Sequence, residues 1–134
     1  MKLHRFIGEY DLSKKHIEIT DPKIIKQIRA VLRLEKGDKV LLSNGKGKEA
    51  EVVLDSISGD KIMGTVNQTV VSNEMKRKVH LYLAILKKEN FELAVQKAVE
   101  VGVMKITPII TERTIKTGLN IPRLEKIILE ASEQ

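Results

Sequence analysis

Arg29 and Arg33 lie four residues apart in Arg29-Ala30-Val31-Leu32-Arg33. On a helix that interval puts both guanidinium groups on one face, and Arg grips phosphate with bidentate geometry. Arg5 and Lys26 would extend such a patch. The same residues also read as basic side chains that complement a helix C-terminal dipole. Lys87 and Lys88 fall between a strand pattern and a helix pattern, and Arg113 follows the apolar segment Ile106 to Ile110. In α/β sheets ligands gather at the carboxyl ends of strands, so a phosphate contact fits these positions; solvated lysines fit them too. Glu92, Gln96 and Glu100 recur every four residues beside Lys97, which reads as a solvated helix face. Gly45-Lys46-Gly47-Lys48 lacks the spacing of a phosphate-binding loop and does not precede a helix. His4, His16 and His80 sit in different segments, so they form neither a metal constellation nor a Ser/His/Asp arrangement. The chain has no cysteine, which excludes disulfides, thiolate zinc sites and a cysteine nucleophile.

The elements that must position these residues come from 134 residues, one average domain or two small ones. Hydrophobic residues make up 42% and aromatics only 3%, so any core is aliphatic. The 24 basic and 18 acidic side chains leave a net charge of +6, which permits a nucleic-acid partner without demanding one. No apolar run reaches the roughly 18 residues of a membrane span, and the opening MKLHRFIGEY has no apolar signal region. The expected compartment is the cytoplasm, with no membrane partner.

Residues 1–72 read as mostly strand: His4 to Ile7, His16 to Thr20, Lys39 to Ser43, Glu49 to Ile57, and Lys61 to Val71. Asp21-Pro22 opens a helix expected to run to Arg33, with Ile24, Ile25, Ile28, Val31 and Leu32 on its apolar face. Asn44-Gly45 signals a hairpin with positive φ at both positions. These spacings imply a small β-barrel or curled sheet. The polar stretch from Ser72 to Lys78 is the expected domain boundary. Beyond it come a strand (Val79 to Leu86), a helix (Asn90 to Val101, with Phe91, Ala94, Val95, Ala98, Val99 and Val101 inward), a Gly102 cap and a strand (Lys105 to Ile110). This is a βαβ pattern. A last helix starts at Asn120-Ile121-Pro122 and is still periodic at Gln134. The second layer looks incomplete, because parallel strands need both faces covered.

Read in order, HRFI, IRAVLRLEKGDKVLLSNGKG, LKKENFELAVQKAVEVGVMKITPIITER and RLEKIILEASEQ resemble the bacterial SPOUT-class methyltransferases that make 3-methyluridine in 16S ribosomal RNA. The most specific piece is Gln96 to Val103 followed by Ile106-Thr107-Pro108 and Glu112-Arg113. The resemblance implies a mixed α and β chain. Residues 1–72 would be a PUA-like RNA-binding β-barrel, and residues 73–134 the start of a SPOUT α/β methyltransferase domain lacking its C-terminal knot. It implies RNA contacts from Arg5, Lys26, Arg29, Arg33 and Lys87, and places Arg113, Glu133 and Gln134 near the substrate uridine. The cofactor would be S-adenosylmethionine, the partner 16S rRNA in the 30S subunit, and the intact protein a homodimer. The glycine-rich loop and knot that form the family's cofactor pocket are absent here. The expectation is therefore an N-terminal fragment that binds RNA but is inactive alone. A standalone RNA-binding or ribosome-assembly module is the alternative.

Overall fold

The computed structural model describes residues 3–71, 77–115 and 117–134. The boundary stretch 72–76 and Lys116 lie outside the described residues. The chain divides into two compact units, Met1–Glu74 and Met75–Gln134.

The first unit is a five-stranded sheet made of β1 (His4–Ile7), β2 (His16–Ile19), β3 (Lys39–Ser43), β4 (Lys48–Ile57) and β5 (Ile62–Val71). The order is β1-β3-β4-β5-β2; β1 runs parallel to β3, and the other pairs are antiparallel. Period-two alternation sends Phe6, Ile17, Ile19, Val40, Leu42, Ala50, Val52, Leu54 and Ile62 into one core. Helix α1 (Pro22–Lys26) covers that core with Ile24 and Ile25. Two register shifts in β4, at Glu51/Val52 and Leu54/Ser56, add local twist and bend the long strand. Where β4 crosses β5, Gly64 lies so close to the Val52 side chain and the Val53 carbonyl that a Cβ has no room.

Two local expectations are corrected here. The hairpin between β3 and β4 is a longer loop, closed by the Asn44 N–H donating to the Lys48 carbonyl at 3.1 Å. The positive φ values fall on Gly45 (66°) and Gly47 (84°) and not on Asn44. The Asn44 side chain instead accepts from the N–H groups of Lys46 and Lys48. The helix at Asp21 also does not run to Arg33. Asp21 Oδ1 caps it by accepting from the Lys23 N–H at 2.8 Å, and Pro22 occupies the first turn. After Lys26 the chain widens into a π-helical turn, Gln27–Val31. That turn ends where the Leu34 N–H donates to the Ile28 carbonyl and Arg33 adopts φ 52°. The wider turn rotates the apolar stripe, so Ile28 is fully buried while Val31, expected inside, is 67% exposed.

The second unit pairs β6 (His80–Ala84) with β7 (Lys105–Ile109) in parallel, joined through α2 (Lys88–Glu100) and followed by α3 (Ile121–Ser132). Phe91, Val95 and Leu124 form its core, with Leu83, Ile85, Ile106 and Leu119 packed on it. The α2 C-terminus closes as a Schellman motif: Gly102 at φ 87° donates to the Val99 carbonyl, and Val103 to that of Ala98. The elements differ from expectation at their ends. Helix α2 begins two residues earlier than read, both strands are shorter, and α3 stops at Ser132. Val101, expected on the buried face, caps the helix and is 79% exposed.

Candidate nucleic-acid interface

In the first unit, the turn after α1 places Arg29 between two clefts. One, of about 590 Å³, is lined by Pro22, Ile25, Lys26, Arg29, Gly59 and Asp60 among others. The other, of about 420 Å³, is lined by Arg29, Arg33, Leu34, Glu35, Lys36 and Ile57. Lys26, Arg29, Arg33 and Lys36 are all exposed, and they face only two acids, Asp60 and Glu35, in these linings. Arg29 and Arg33 do come together, though not as neighbours on one helix face. Arg33 occupies the left-handed position that usually belongs to glycine at a helix end. A side chain there costs roughly 1–2 kcal/mol, a strain that local folding does not require and that a contact of the arginine explains.

Arg5 stands apart from this group. Its Nε lies 3.1 Å from Glu49 Oε1, and its Nη2 donates a long bond to Oε2 at 3.5 Å. Glu51, on the same strand, takes Lys39 Nζ at 2.8 Å and the Asn67 amide at 2.7 Å, and these bonds hold its carboxyl below the usual carboxylate range. The charges expected to widen the patch from Arg5 are thus matched by acids within the sheet. Lys36 is the reverse case. The sequence reads it as part of the Glu35-Lys36-Gly37-Asp38 turn, and the folded chain sets it beside Arg33.

In the second unit, Lys87 and Arg113 line one cleft of about 480 Å³ with Ile85, Leu86, Lys88, Glu89, Asn90 and Ile115. Its walls are the segments that follow β6 and β7, at the carboxyl ends of the parallel strands. Lys87 is the N-cap residue of α2, and no side chain caps that end. Cations at the positive end of a helix are unfavourable, so Lys87 and Lys88 oppose the local rule, and an anion in the cleft would relieve the conflict. Glu133 and Gln134, expected beside Arg113, do not line this cleft. They follow the far end of α3, whose 12 residues span about 18 Å.

Glu92 is no ordinary solvated residue. Arg123 Nε donates to its Oε1 at 2.6 Å and Nη2 to its Oε2 at 2.9 Å, bracing α3 against α2. The guanidinium bonds hold the Glu92 carboxyl below its ordinary value and raise Arg123. Gln96, Lys97 and Glu100 do form an exposed polar network, with Glu100 accepting from both others.

Two family models divide the chain between them. One describes an RNA methyltransferase PUA domain and matches residues 19–66; the other describes an RNA methyltransferase domain and matches residues 73–134. The chain belongs to this RNA methyltransferase family. Its curated relatives include the ribosomal RNA small subunit methyltransferase E of Rickettsia conorii, 29% identical over all of this chain and 55% of the relative. A second enzyme of that name, from Borreliella burgdorferi, is 30% identical over 96% of this chain and 55% of the relative. The chain therefore spans about half the length of these relatives. Among solved structures, the Neisseria gonorrhoeae enzyme bound to S-adenosyl methionine superposes with a TM-score of 0.86 at 25% identity, covering 98% of this chain and 56% of that one. A Legionella pneumophila methyltransferase in complex with the same cofactor gives 0.80 at 29% identity, covering 99% and 58%.

The described residues of this family member do not fit that cofactor. S-adenosylmethionine is a net cation carrying a sulfonium, whereas the one cleft at the strand ends is lined by Lys87, Lys88 and Arg113 against the single acid Glu89. The cleft suits an anion. Among the described residues no group of three or more acidic or histidine side chains could hold a metal, and no helix is long and apolar enough to cross a membrane.

Proposed function

We propose that the whole protein transfers a methyl group from S-adenosylmethionine to N3 of a uridine in 16S ribosomal RNA, in the cytoplasm, and acts as a homodimer. In this reading residues 1–72 form the RNA-gripping PUA-like domain, and residues 73–134 begin the methyltransferase domain. The observation that carries it is the double cleft around Arg29, with four exposed cations, in a chain matched by an RNA methyltransferase PUA model. Lys26, Arg29, Arg33 and Lys36 hold the RNA backbone, an electrostatic contact that fixes position without reading sequence. Lys87 and Arg113 hold a phosphate close to the target uridine. Reaction at a base nitrogen needs that base unstacked and presented singly, and unpaired loop bases are the usual targets of RNA-reading proteins. Arg5 contributes little to this grip, because Glu49 already neutralises it. Glu133 and Gln134 serve outside the Lys87–Arg113 cleft.

The test pairs two measurements on the purified 134-residue chain: binding to 16S rRNA at several salt concentrations, and methyl incorporation from labelled S-adenosylmethionine. Salt-sensitive binding without incorporation is the expected result. Incorporation would show that the described residues do complete a cofactor site. Absence of RNA binding at low salt would remove the basis of the proposal.

A further inference from the structure

Between the starts of α2 and α3 lies a smaller cleft of about 270 Å³, lined by Leu86, Lys88, Phe91, Glu92, Asn120 and Leu124 among others. It adjoins the Lys87–Arg113 cleft, because Leu86 and Lys88 line both. The two differ in chemistry. The first offers three cations against one acid. The second has an apolar floor of Leu86, Phe91 and Leu124, and its carboxylate, Glu92, repels phosphate. A phosphate therefore belongs in the first and an uncharged ring in the second. At about 270 Å³ the second is below the 300–1,000 Å³ of ordinary small-molecule pockets, a size for one base.

The polar groups of the smaller cleft also favour particular bases. Both Glu92 oxygens are taken by Arg123. Asn120 Oδ1 accepts from the Arg123 backbone N–H at 3.1 Å, which fixes which way the amide points. No protein acceptor is found for the Asn120 amide N–H groups among the described residues. The cleft thus presents a free donor beside an apolar floor. Uracil, cytosine and guanine carry carbonyl oxygens that accept from such a donor, and adenine carries none.

We propose that this cleft seats the base next to the nucleotide whose phosphate lies against Lys87 and Arg113, and that Asn120 selects a carbonyl-bearing base there. The inference rests on the RNA reading of the strand-end cleft given above. It makes Asn120 a specificity residue for single-stranded RNA.

The experiment is equilibrium binding of the 134-residue chain to RNA pentamers carrying uracil, adenine or an abasic unit at each position in turn. One position should prefer uracil to adenine by about fivefold, the worth of one net hydrogen bond. Removing the base at that position should weaken binding about tenfold or more, as loss of a packed base does. Asn120→Ser keeps a side-chain oxygen to cap α3 and should bring the preference to near one with the salt dependence unchanged. Lys87→Ala should weaken all the pentamers alike. If RNA binds but no position discriminates, or if Asn120→Ser discriminates as the wild type does, the base cleft is wrong and the RNA reading stands. If the wild-type chain binds no pentamer at low salt, the RNA reading itself fails. The abasic series needs no variant, so it decides the matter even if Asn120→Ser is unstable.

Discussion

Replacing Arg29 and Arg33 together by alanine tests the RNA grip most directly, and its size follows from the structure. Lys26, Arg29, Arg33 and Lys36 surround the two clefts, and all four are exposed, so their truncation leaves the buried core of Phe6, Ile28 and Leu54 intact. If each cation neutralises one phosphate of single-stranded RNA, binding falls with the logarithm of salt at about 0.7 per contact, a slope of about −2.8 for four. Raising salt from about 50 to about 200 mM then costs the wild-type chain about fiftyfold in affinity. With two contacts left the slope is about −1.4, and the same change costs about sevenfold. Fluorescence anisotropy with a labelled fragment of 16S rRNA, titrated at four or five salt concentrations, gives both slopes. An Arg5→Ala control should keep the wild-type slope, because Glu49 already pairs with that arginine. Equal slopes for the double variant and the wild type would refute the reasoning, and so would a loss from Arg5→Ala as large as that from Arg29 and Arg33.

Other expectations concern what holds the clefts in place. Gly64→Ala puts a methyl group against the Val52 side chain and the Val53 carbonyl, and should cost about 1–3 kcal/mol by overpacking, measured by urea unfolding. Phe91→Ala empties the centre of the second unit's core and should cost about 3–5 kcal/mol. Exchange of the α2 amides should then be lost while those of β4 stay protected. Glu92 has a folded-state value below its ordinary 4.5, chiefly through the Arg123 bonds. Its contribution is therefore present above the ordinary carboxylate value and fades as pH drops through the lowered one. Glu92→Gln should flatten the acid side of the stability profile of the second unit, and an unchanged profile would show that the pair contributes nothing.

The alternation of β3 and β4, the cap at Asp21-Pro22, and the helix pattern from Phe91 to Ala98 were legible because each is a local rule. Period two, a capping oxygen and period 3.6 all act over a few residues, and the chain obeys them. The segment after Lys26 was read as plain helix for the same reason. Its apolar residues keep helical spacing, and the π-helical turn depends on how Ile28 and Leu34 meet the sheet core. The hairpin was placed by Asn44-Gly45, but its loop length depended on Gly47 also taking positive φ.

The candidate site divides along the same line. By itself the sequence determined which residue types were available: an aliphatic chain, a modest basic excess, no cysteine, and arginines clustered after one short helix. Only the tertiary structure decided which of those charges act together. Arg5 is matched by Glu49, which lies 44 positions away and meets it through the β1-β3-β4 order. Lys36 joins Arg29 and Arg33 because the chain reverses at Arg33. Asn120 reaches the edge of a cleft begun at Leu86 because α3 packs on α2. Charge acts through space and is cancelled or reinforced by whatever lies within a few ångströms, and that neighbourhood is set by long-range packing that no short stretch of sequence encodes.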